Sequence, residues 1–354
     1  MTRPGGASRP ARTVPGARVA VVRAQAKVNL YLRVLAREED GYHQIETLFQ
    51  RLTLGDLVRV RVGDGITDRT LAIDGPALPP SGLGATEDNL AWRAATAYAD
   101  ATGWPDTFAL DVTKEVPVGG GLGGGSADAG AVLRCLNALA PAPLPRGELL
   151  ALAAPLGADV PFLTTEAPLA LAWGRGERML ALPPLPERRA HLALFAEGVP
   201  TKEAYGALAE WRRDTSARPR SVLWTPRRLT RWDDVALVAA NDFEHVVLPA
   251  RDDVSGVRQL FADVARQVEQ LNEPGGGANG GPDDGGPDEP PPEGDRVPIA
   301  LMSGSGATVF LLTPLAGVAV GLEVAAPEDA TGTPAVRVVE TRTARRVARV
   351  RLQG

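Results

Sequence analysis

The chain has 354 residues, of which 44% are hydrophobic and 23% charged, a composition typical of a globular protein large enough for two domains. Its formal net charge of −5 argues against a nucleic-acid partner, and its longest apolar runs, such as residues 168–173, are too short to span a membrane. Cys135 is the only cysteine, so no intramolecular disulfide can form, and a cytoplasmic location is expected.

The first 17 residues are rich in Pro, Gly and Arg and contain no acidic residue. They lack the apolar block of a secretory signal, although their composition faintly resembles that of an organelle transit peptide. Because Pro and Gly oppose an amphipathic helix, we predict that residues 1–17 form a disordered extension and that order begins near Arg18.

The following segment predicts several strands and one helix. Apolar runs indicate strands at residues 19–30, 47–54 and 57–62. The Asp-Asn pair that ends at Asn89 is expected to cap a helix. Residues 108–113 alternate between apolar and polar side chains, a pattern typical of a strand with one exposed face.

The rest of the chain contains a glycine-rich loop, the helix that follows it and a series of further elements. The strand at residues 168–173 is expected to open a second domain. Pro298 cannot donate to a sheet ladder, so it is expected at the start of its strand or on an edge. Residues 273–295 consist almost entirely of Gly, Pro, Asp, Glu and Asn and predict a disordered insertion rather than a calcium loop. The remaining predictions are helices at 148–154, 202–212 and 251–271 and strands at 191–195 and 297–302.

Residues 119–126 read Gly-Gly-Gly-Leu-Gly-Gly-Gly-Ser and are the most informative segment. Glycines let a backbone approach a ligand closely, and a helix predicted to begin at Ser126 offers free amide donors and a positive dipole end. Such a loop suits a phosphate group. A flexible linker is the alternative, which the tight position between a strand and a helix disfavours.

Three phosphate loops can be compared with this segment. A Walker A loop fails because no lysine follows the last glycine. A Rossmann fingerprint matches Gly119, Gly121 and Gly124. However, the strand before a Rossmann loop is buried on both faces, whereas residues 108–113 alternate with polar side chains, and no convincing ribose-binding acid follows. The GHMP kinase loop, Pro-x-x-x-Gly-Leu-Gly-x-x-Ser, is satisfied throughout by residues 117–126.

Four further segments extend this match: residues 26–30 (AKVNL), 40–43 (DGYH), 156–162 (LGADVPF) and 302–308 (MSGSGAT). With them, the chain resembles the 4-diphosphocytidyl-2-C-methyl-D-erythritol kinases, a family of the GHMP superfamily, over roughly residues 18–313. The departures are the N-terminal extension and the acidic insertion, and neither touches a motif.

The resemblance implies an α+β, two-domain GHMP kinase fold. Residues 18–165 would form an ATP-binding half like ribosomal protein S5 domain 2, and residues 166–354 a ferredoxin-like half. It also implies that ATP, with Mg²⁺, phosphorylates the 2-hydroxyl of 4-(cytidine 5'-diphospho)-2-C-methyl-D-erythritol in the non-mevalonate isoprenoid pathway. The expected partners are these small molecules, without nucleic acid or membrane, and the chain is expected to be a monomer or weak homodimer.

Lys27 and Asp159 are the candidate catalytic residues. Strand alternation places Lys27 on the same face as Asn29, although a lysine at a strand end is ordinarily solvated. Asp159 lies in an apolar stretch and either caps the next turn or acts as a general base. By the resemblance, Lys27 polarises the acceptor hydroxyl and orients Asp159, Asn29 binds the substrate, and Asn241 has a supporting role.

The resemblance also assigns the ligand contacts. Ser126 is an N-cap candidate and, in addition, a ligand of Mg²⁺ or the β-phosphate, while Asp128 is interpreted as a first-turn partner of the helix dipole. Tyr42 is expected to stack on the cytosine and His43 to bond its polar edge, with Tyr205 a candidate for the opposite face. The expected ATP-binding residues are Pro117, Gly119, Gly120, Gly121, Leu122, Gly123, Gly124, Gly125 and Ser126.

Several alternatives stay open at this point. The chain could be another GHMP kinase, acting on homoserine, mevalonate or a sugar, or a sensor that binds nucleotide without catalysis. The presence of both Lys27 and Asp159 disfavours a sensor. His191 and His245 lack metal-ligand spacing and are interpreted as structural. The arginines between residues 342 and 351 form either a solvated face or an anion site.

Overall fold

Two antiparallel strands of twenty residues each, β1 (Arg18–Arg37) and β2 (His43–Val62), form the centre of the fold. The structure is a computed structural model that describes residues 16–39, 41, 43–216, 225–272, 293–315 and 336–353. The expected N-terminal extension therefore lies outside the described residues, except for Gly16 and Ala17.

The two strands expected on either side of Gly55 are a single strand, so the predicted break is wrong. Gly55 pairs with Gln25 of β1, and a Cβ at this glycine would lie 2.6 Å from the Ala24 carbonyl oxygen. Glycine here permits a close approach of two backbones rather than a turn. The register then shifts between Gln25 and Lys27, which is a β-bulge directly before the predicted catalytic lysine.

The first sheet continues from these two strands. Its other strands are β3 (Arg69–Asp74), β4 (Phe108–Thr113), β5 (Leu169–Gly174), β6 (Arg178–Leu182), β8 (Ala240–Asn241) and β12 (Arg351–Gln353). The order is β12-β1-β2-β4-β3, with β5 joined to β2, β6 to β5 and β8 to β1. Because β5 pairs along β2, the strand expected to open the second domain belongs to the first sheet. The division at residue 165 stays a prediction.

Four α-helices lie between residues 90 and 164: α1 (Leu90–Thr102), α2 (Gly124–Leu139), α3 (Arg146–Ala153) and α4 (Val160–Thr164). The predicted cap of α1 is confirmed, because the Asn89 side chain accepts a hydrogen bond from the Ala91 amide at 2.9 Å. The apolar face of α2 is buried in the core between helices and sheet, as predicted. This packing fixes the start of α2, where the glycine loop ends.

The second sheet is antiparallel and has the order β11-β7-β10-β9. Its strands are β7 (Arg188–Phe195), β9 (Ile299–Met302), β10 (Val309–Pro314) and β11 (Val336–Arg342). Pro298 directly precedes β9, which is an edge strand, as its missing amide predicts. The helices of this half are α5 (Thr201–Thr215), α6 (Trp232–Ala236), α7 (Glu244–Ala250) and α8 (Asp252–Leu271).

The expected insertion at residues 273–295 falls largely outside the described residues, but its C-terminal end does not. Asp295 is only 7% exposed and accepts a hydrogen bond from Arg188 Nε at 2.9 Å. The prediction of disorder is therefore wrong for Asp295. Composition misled here because a single acid can be fixed by a buried partner that is distant in sequence.

Candidate active site

Lys27 lies within β1 rather than at a strand end, and only 2% of its surface is exposed. Its Nζ donates hydrogen bonds to Asn29 Oδ1 at 2.7 Å and to the Gly121 carbonyl oxygen at 2.9 Å. Its backbone amide donates to the Leu122 carbonyl oxygen at 2.9 Å. The interpretation as a solvated lysine is therefore wrong, because the ammonium is held between β1 and the glycine loop.

Asp159 directly precedes α4, yet its side chain makes no capping hydrogen bond. Its Oδ2 instead lies 3.2 Å from Lys27 Nζ, and the side chain is 27% exposed. The capping alternative is thus excluded by the geometry. The two candidate catalytic residues form an ion pair with the carboxylate still accessible to a ligand.

Asn29 shares a strand face with Lys27, as the alternation predicts. Its Nδ2 donates to Thr47 Oγ1 at 2.8 Å, and that hydroxyl donates to the Tyr31 carbonyl oxygen at 2.7 Å. Asn29 is buried, and these bonds fix the amide oxygen that orients the Lys27 ammonium. A direct contact between Asn29 and substrate stays a prediction.

The glycine loop adopts a backbone that side chains oppose. Gly119, Gly121 and Gly123 have φ values of 82°, 77° and 71°, in the left-handed region. A Cβ at Gly121 would overlap the Ser303 carbonyl oxygen, and Ser303 Oγ donates to the Gly121 carbonyl oxygen at 3.0 Å. The structure therefore brings the two glycine motifs, distant in sequence, into backbone contact.

Asn241 in β8 fixes the second glycine turn. Its Nδ2 donates to the carbonyl oxygens of Met302 and Gly304, both at 2.8 Å. Its Oδ1 accepts from the Phe243 amide at 3.0 Å. A buried amide with three such bonds holds the turn rigidly against the glycine loop.

Ser126 is not the N-cap of α2, so this prediction is wrong. The helix begins at Gly124, and Gly123 occupies the cap position in a left-handed conformation that only glycine adopts readily. Ser126 lies within the first turn and is partly exposed. The first-turn amides of a helix lack intrahelical partners, and the phosphate or metal role of Ser126 stays a prediction.

A cavity of ≈ 110 Å³ is lined by residues 117–125 together with Asn89, Lys114 and Asp128. Lys114 Nζ donates to Asp128 Oδ2 at 2.7 Å and also to Asp56 Oδ2. Asp56 Oδ1 accepts two backbone amides, from residues 115 and 116, at 2.6 and 2.7 Å. A buried cation with two carboxylates therefore supports the segment that leads into the glycine loop.

Sequence reasoning missed Lys114 and Asp56, and it placed Asp128 only as a dipole partner. A signal was present, because Lys114 has the same parity as the buried apolar residues of β4. Asp56 likewise has the parity of the buried Val58 and Val60 in β2. A charged residue in phase with a buried strand face indicates a paired, functional or structural ion.

Asp128 gives a prediction for the pH dependence of stability. Burial raises its pKa to about 7, against the opposing effect of the Lys114 ammonium. An acid whose pKa is higher in the folded state binds its proton more tightly there, so stability falls as pH rises from about 4 to about 7. The unfolding free energy of the wild type should therefore fall by roughly 1–3 kcal/mol between pH 5 and pH 8 because Asp128 ionises. The Asp128→Asn variant should not show this fall.

Urea unfolding at the two pH values measures this difference. Asp111→Asn is the matched control, since Asp111 is 40% exposed and pairs with Arg61 on the surface. The control should change stability equally at both pH values. If Asp128→Asn also changes stability equally at both pH values, the interpretation of Asp128 as a buried acid with a raised pKa is incorrect.

The expected substrate side is partly described. The rings of His43 and Tyr205 stack with centroids 4.3 Å apart, and Tyr205 meets Phe243 edge-on at 4.9 Å. Burial, and then the charge of Asp159, raises the pKa of Tyr205 to about 12. Because His43 covers one face of Tyr205, a cytosine ring can stack on that face only if the imidazole moves. Tyr42 lies outside the described residues.

The described residues contain no group of three or more His, Cys, Asp or Glu side chains suited to a metal ion. Mg²⁺ in kinases typically keeps several waters and is bound through one or two side chains plus substrate phosphates. One oxygen donor of this kind, the Ser126 hydroxyl, lies in the first turn of α2 directly after the glycine loop. This donor is compatible with a Mg²⁺ ion held mainly by the phosphates of a nucleotide.

Residues 89–166, which contain the glycine loop and Asp159, match the GHMP kinases N terminal domain. The chain is 36% identical over 261 residues to 4-diphosphocytidyl-2-C-methyl-D-erythritol kinase of Mycolicibacterium smegmatis, covering 72% of this chain and 76% of that relative. It belongs to the 4-diphosphocytidyl-2-C-methyl-D-erythritol kinase family. A shorter alignment with the same enzyme of Mycolicibacterium vanbaalenii has 45% identity over 158 residues and spans 45% of this chain and 47% of that relative.

A crystal structure of 4-(cytidine 5'-diphospho)-2C-methyl-D-erythritol kinase has a TM-score of 0.57 and 31% identity, covering 82% of this chain and 89% of the other. The predicted α+β GHMP kinase fold is thereby confirmed. As a member of this kinase family, the chain is a phosphotransferase that uses ATP and an alcohol acceptor. Among its described residues, no helix is both long and apolar enough to cross a bilayer.

Proposed function

We propose that this kinase transfers the γ-phosphoryl group of ATP to the 2-hydroxyl of 4-(cytidine 5'-diphospho)-2-C-methyl-D-erythritol, giving the 2-phosphate and ADP. The observation that carries the proposal is the Lys27–Asp159 ion pair, held at 3.2 Å beside the glycine loop, to whose Gly121 carbonyl oxygen Lys27 also donates. A phosphate donor bound at the loop and an acceptor bound beside Tyr205 would meet at this pair.

The chain's own residues supply positioning, which is most of what phosphoryl transfer requires. Asp159 accepts the proton of the acceptor hydroxyl as that oxygen attacks the γ-phosphorus. Lys27 orients the carboxylate and polarises the same hydroxyl, while Asn29 holds the lysine in place. The backbone amides of the glycine loop and the start of α2 bind the phosphate oxygens.

Bound Mg²⁺ would neutralise charge on the phosphate oxygens of ATP. Ser126 is the residue proposed to hold it, together with those oxygens. Lys114 lines the cavity beside the loop, where Asp56 and Asp128 compensate its charge and fix its position, so its proposed role is to hold the segment that leads into the loop. These assignments are supported by the placement of the side chains around the loop.

Cytosine recognition is proposed to involve Tyr42, His43 and Tyr205. Burial, followed by the charges of Arg37 and Arg212, lowers the pKa of His43 below its usual value, so its imidazole is neutral at pH 7. A neutral imidazole has one acceptor nitrogen, which can accept a hydrogen bond from the exocyclic amino group of cytosine. Uracil carries a carbonyl at the same position and would leave buried polar groups mispaired.

The kinase should therefore prefer the cytidine-linked acceptor to its uridine counterpart. Each mispaired group typically costs about 1–3 kcal/mol, so the preference in kcat/KM should be roughly ten- to hundredfold. His43→Ala should weaken the cytidine substrate and narrow this preference, while the KM for ATP stays unchanged.

Steady-state kinetics with both acceptors tests the assignment. His245→Ala is the matched control, because His245 stacks on Trp211 with centroids 4.5 Å apart and is not proposed to touch substrate. Equal kcat/KM for the two acceptors in the wild-type enzyme would contradict the cytosine-recognition proposal and leave only the general assignment as a GHMP kinase. Such kinases include those acting on homoserine, mevalonate or sugars.

We further propose that the enzyme is cytoplasmic, without a nucleic-acid partner, and is a monomer or weak homodimer. The net charge of −5 and a single buried cysteine support the first two statements. Burial raises the pKa of Cys135 to about 12, as expected for a structural thiol rather than a nucleophile.

A further inference from the structure

A second, larger cavity of ≈ 1930 Å³ lies on the same half of the molecule as the glycine loop but away from it. It is lined by parts of β1, β2 and β6, the C-terminal half of α2, α3 and the residues before it, and the segments 164–168 and 345–351, and we call it the arginine groove. As far as the structure is described, its lining shares no residue with the cavity at the glycine loop. The proposed kinase reaction therefore leaves the arginine groove without a role.

The lining of the arginine groove is strongly basic. It contains seven arginines and a single carboxylate, Glu166, in a chain whose formal net charge is −5. A cleft lined by one sign of charge focuses the potential and concentrates ligands of opposite charge. The arginines are Arg23, Arg134, Arg146, Arg345, Arg346, Arg349 and Arg351.

Most of this charge is not compensated. Arg23 pairs with Glu115 at 2.7 Å, but the five exposed arginines at positions 146, 345, 346, 349 and 351 have no carboxylate within ion-pair distance in the described ranges. By contrast, Arg61 and Arg251 elsewhere on the surface have acidic partners. Like charges that line one cleft without acidic partners raise its positive potential, and a bound polyanion would neutralise that potential.

The groove is also preorganised. The C-terminal segment is fixed by Gln25, whose Oε1 accepts from the Ala348 amide at 2.8 Å and whose Nε2 donates to the Arg346 carbonyl oxygen at 3.3 Å. Arg134, only 9% exposed, donates to the Ala348 carbonyl oxygen at 2.5 Å. The backbone that carries these arginines is therefore held in place before a ligand binds, so binding has to order only the arginine side chains.

We propose that the arginine groove binds a small ligand carrying several phosphate groups. Guanidinium groups present planar, bidentate donors that match phosphate oxygens, and they stay charged at any working pH. Several such groups around one cleft suit several phosphates in one ligand. A nucleic-acid polymer is disfavoured because the chain as a whole is acidic.

Calorimetry with myo-inositol hexakisphosphate, in the presence of saturating ADP, tests the proposal on the full-length enzyme. The test variant is Arg345→Gln/Arg346→Gln/Arg349→Gln, and the matched control is Arg213→Gln/Arg266→Gln/Arg337→Gln, which removes three exposed arginines elsewhere. Loss of three charge-assisted contacts should weaken binding by about a hundredfold in the test variant and leave the control near wild type. Kinase kcat should be unchanged in both, which separates this result from the phosphoryl-transfer proposal.

Three outcomes would overturn the proposal. The first is wild-type affinity in the test variant, and the second is an equal loss in the test and control variants. The third is tighter binding of a short RNA duplex that displaces the probe and requires the same three arginines. Retained probe binding in the Gly123→Val variant, whose nucleotide site is expected to be disabled, would support a site separate from the glycine loop.

Discussion

Asp159→Asn should lower kcat by about a hundredfold or more while leaving the fold intact, because a general base contributes a factor of this size. The side chain is 27% exposed and makes no capping bond, so its amide replacement loses only the ion pair with Lys27. Because Lys27 is buried, loss of its carboxylate partner should lower stability by as much as about 3 kcal/mol without unfolding the protein, since Asn29 and Gly121 still accept from the ammonium. The measurements are kcat and KM from ADP release, together with the melting temperature.

The control and the double variant sharpen this test. Asp253→Asn removes a surface carboxylate paired with Arg251 and should keep wild-type kcat. Lys27→Met combined with Asp159→Asn should lower kcat little more than the worse single substitution does, because the effects of substituting residues that act on one proton are not additive. A purified, folded Asp159→Asn enzyme with near wild-type kcat would remove the assignment of Asp159 as the base.

Gly123→Val should weaken ATP binding by about a hundredfold or more, since it combines backbone strain with loss of the loop's shape. Gly123 has φ +71°, and a Cβ there would lie 3.0 Å from Lys27 Cε and 3.4 Å from Leu163 Cδ1. The substitution therefore strains the cap of α2 and also displaces Lys27, the proposed catalytic lysine. Binding of the acceptor, on the other side of the pair, should persist.

Calorimetry with a non-hydrolysable ATP analogue and, separately, with the cytidine-linked acceptor measures both effects. Gly256→Val on α8 is the matched control, because that glycine has no positive φ and a Cβ added there would meet no atom beyond its own helix backbone within 4 Å. The control should bind both ligands normally. Unchanged ATP affinity in Gly123→Val would exclude this loop from the nucleotide site.

The parts of the site that depend on local pattern can be predicted from the sequence alone. The shared face of Lys27 and Asn29 follows from strand alternation, and the cap at Asn89 follows from side-chain chemistry. The glycine-rich turn before α2 likewise follows from the local sequence, while its binding of phosphate stays a prediction. Each of these inferences needs only a few consecutive residues.

The features that the sequence does not predict depend on contacts between distant segments. Lys114 and Asp56 are 58 positions apart, and charged residues are ordinarily expected to be exposed. Gly55 suggests a break between two strands, although it allows close strand pairing. The residues around Asp295 have the composition of a disordered insertion, and nothing near Asp295 in the sequence indicates that Arg188 is its partner. Long-range pairing of this kind has no periodic signal.

ADP release with a panel of acceptors, combined with ³¹P NMR of the product, tests the central claim most directly. The panel contains 4-(cytidine 5'-diphospho)-2-C-methyl-D-erythritol, its uridine counterpart, homoserine, mevalonate and a hexose. The proposed function predicts rapid ADP release with the cytidine-linked acceptor and one new phosphomonoester at its 2-position. Turnover of another acceptor in preference to it, phosphate at a different hydroxyl, or nucleotide binding without any turnover would contradict the claim.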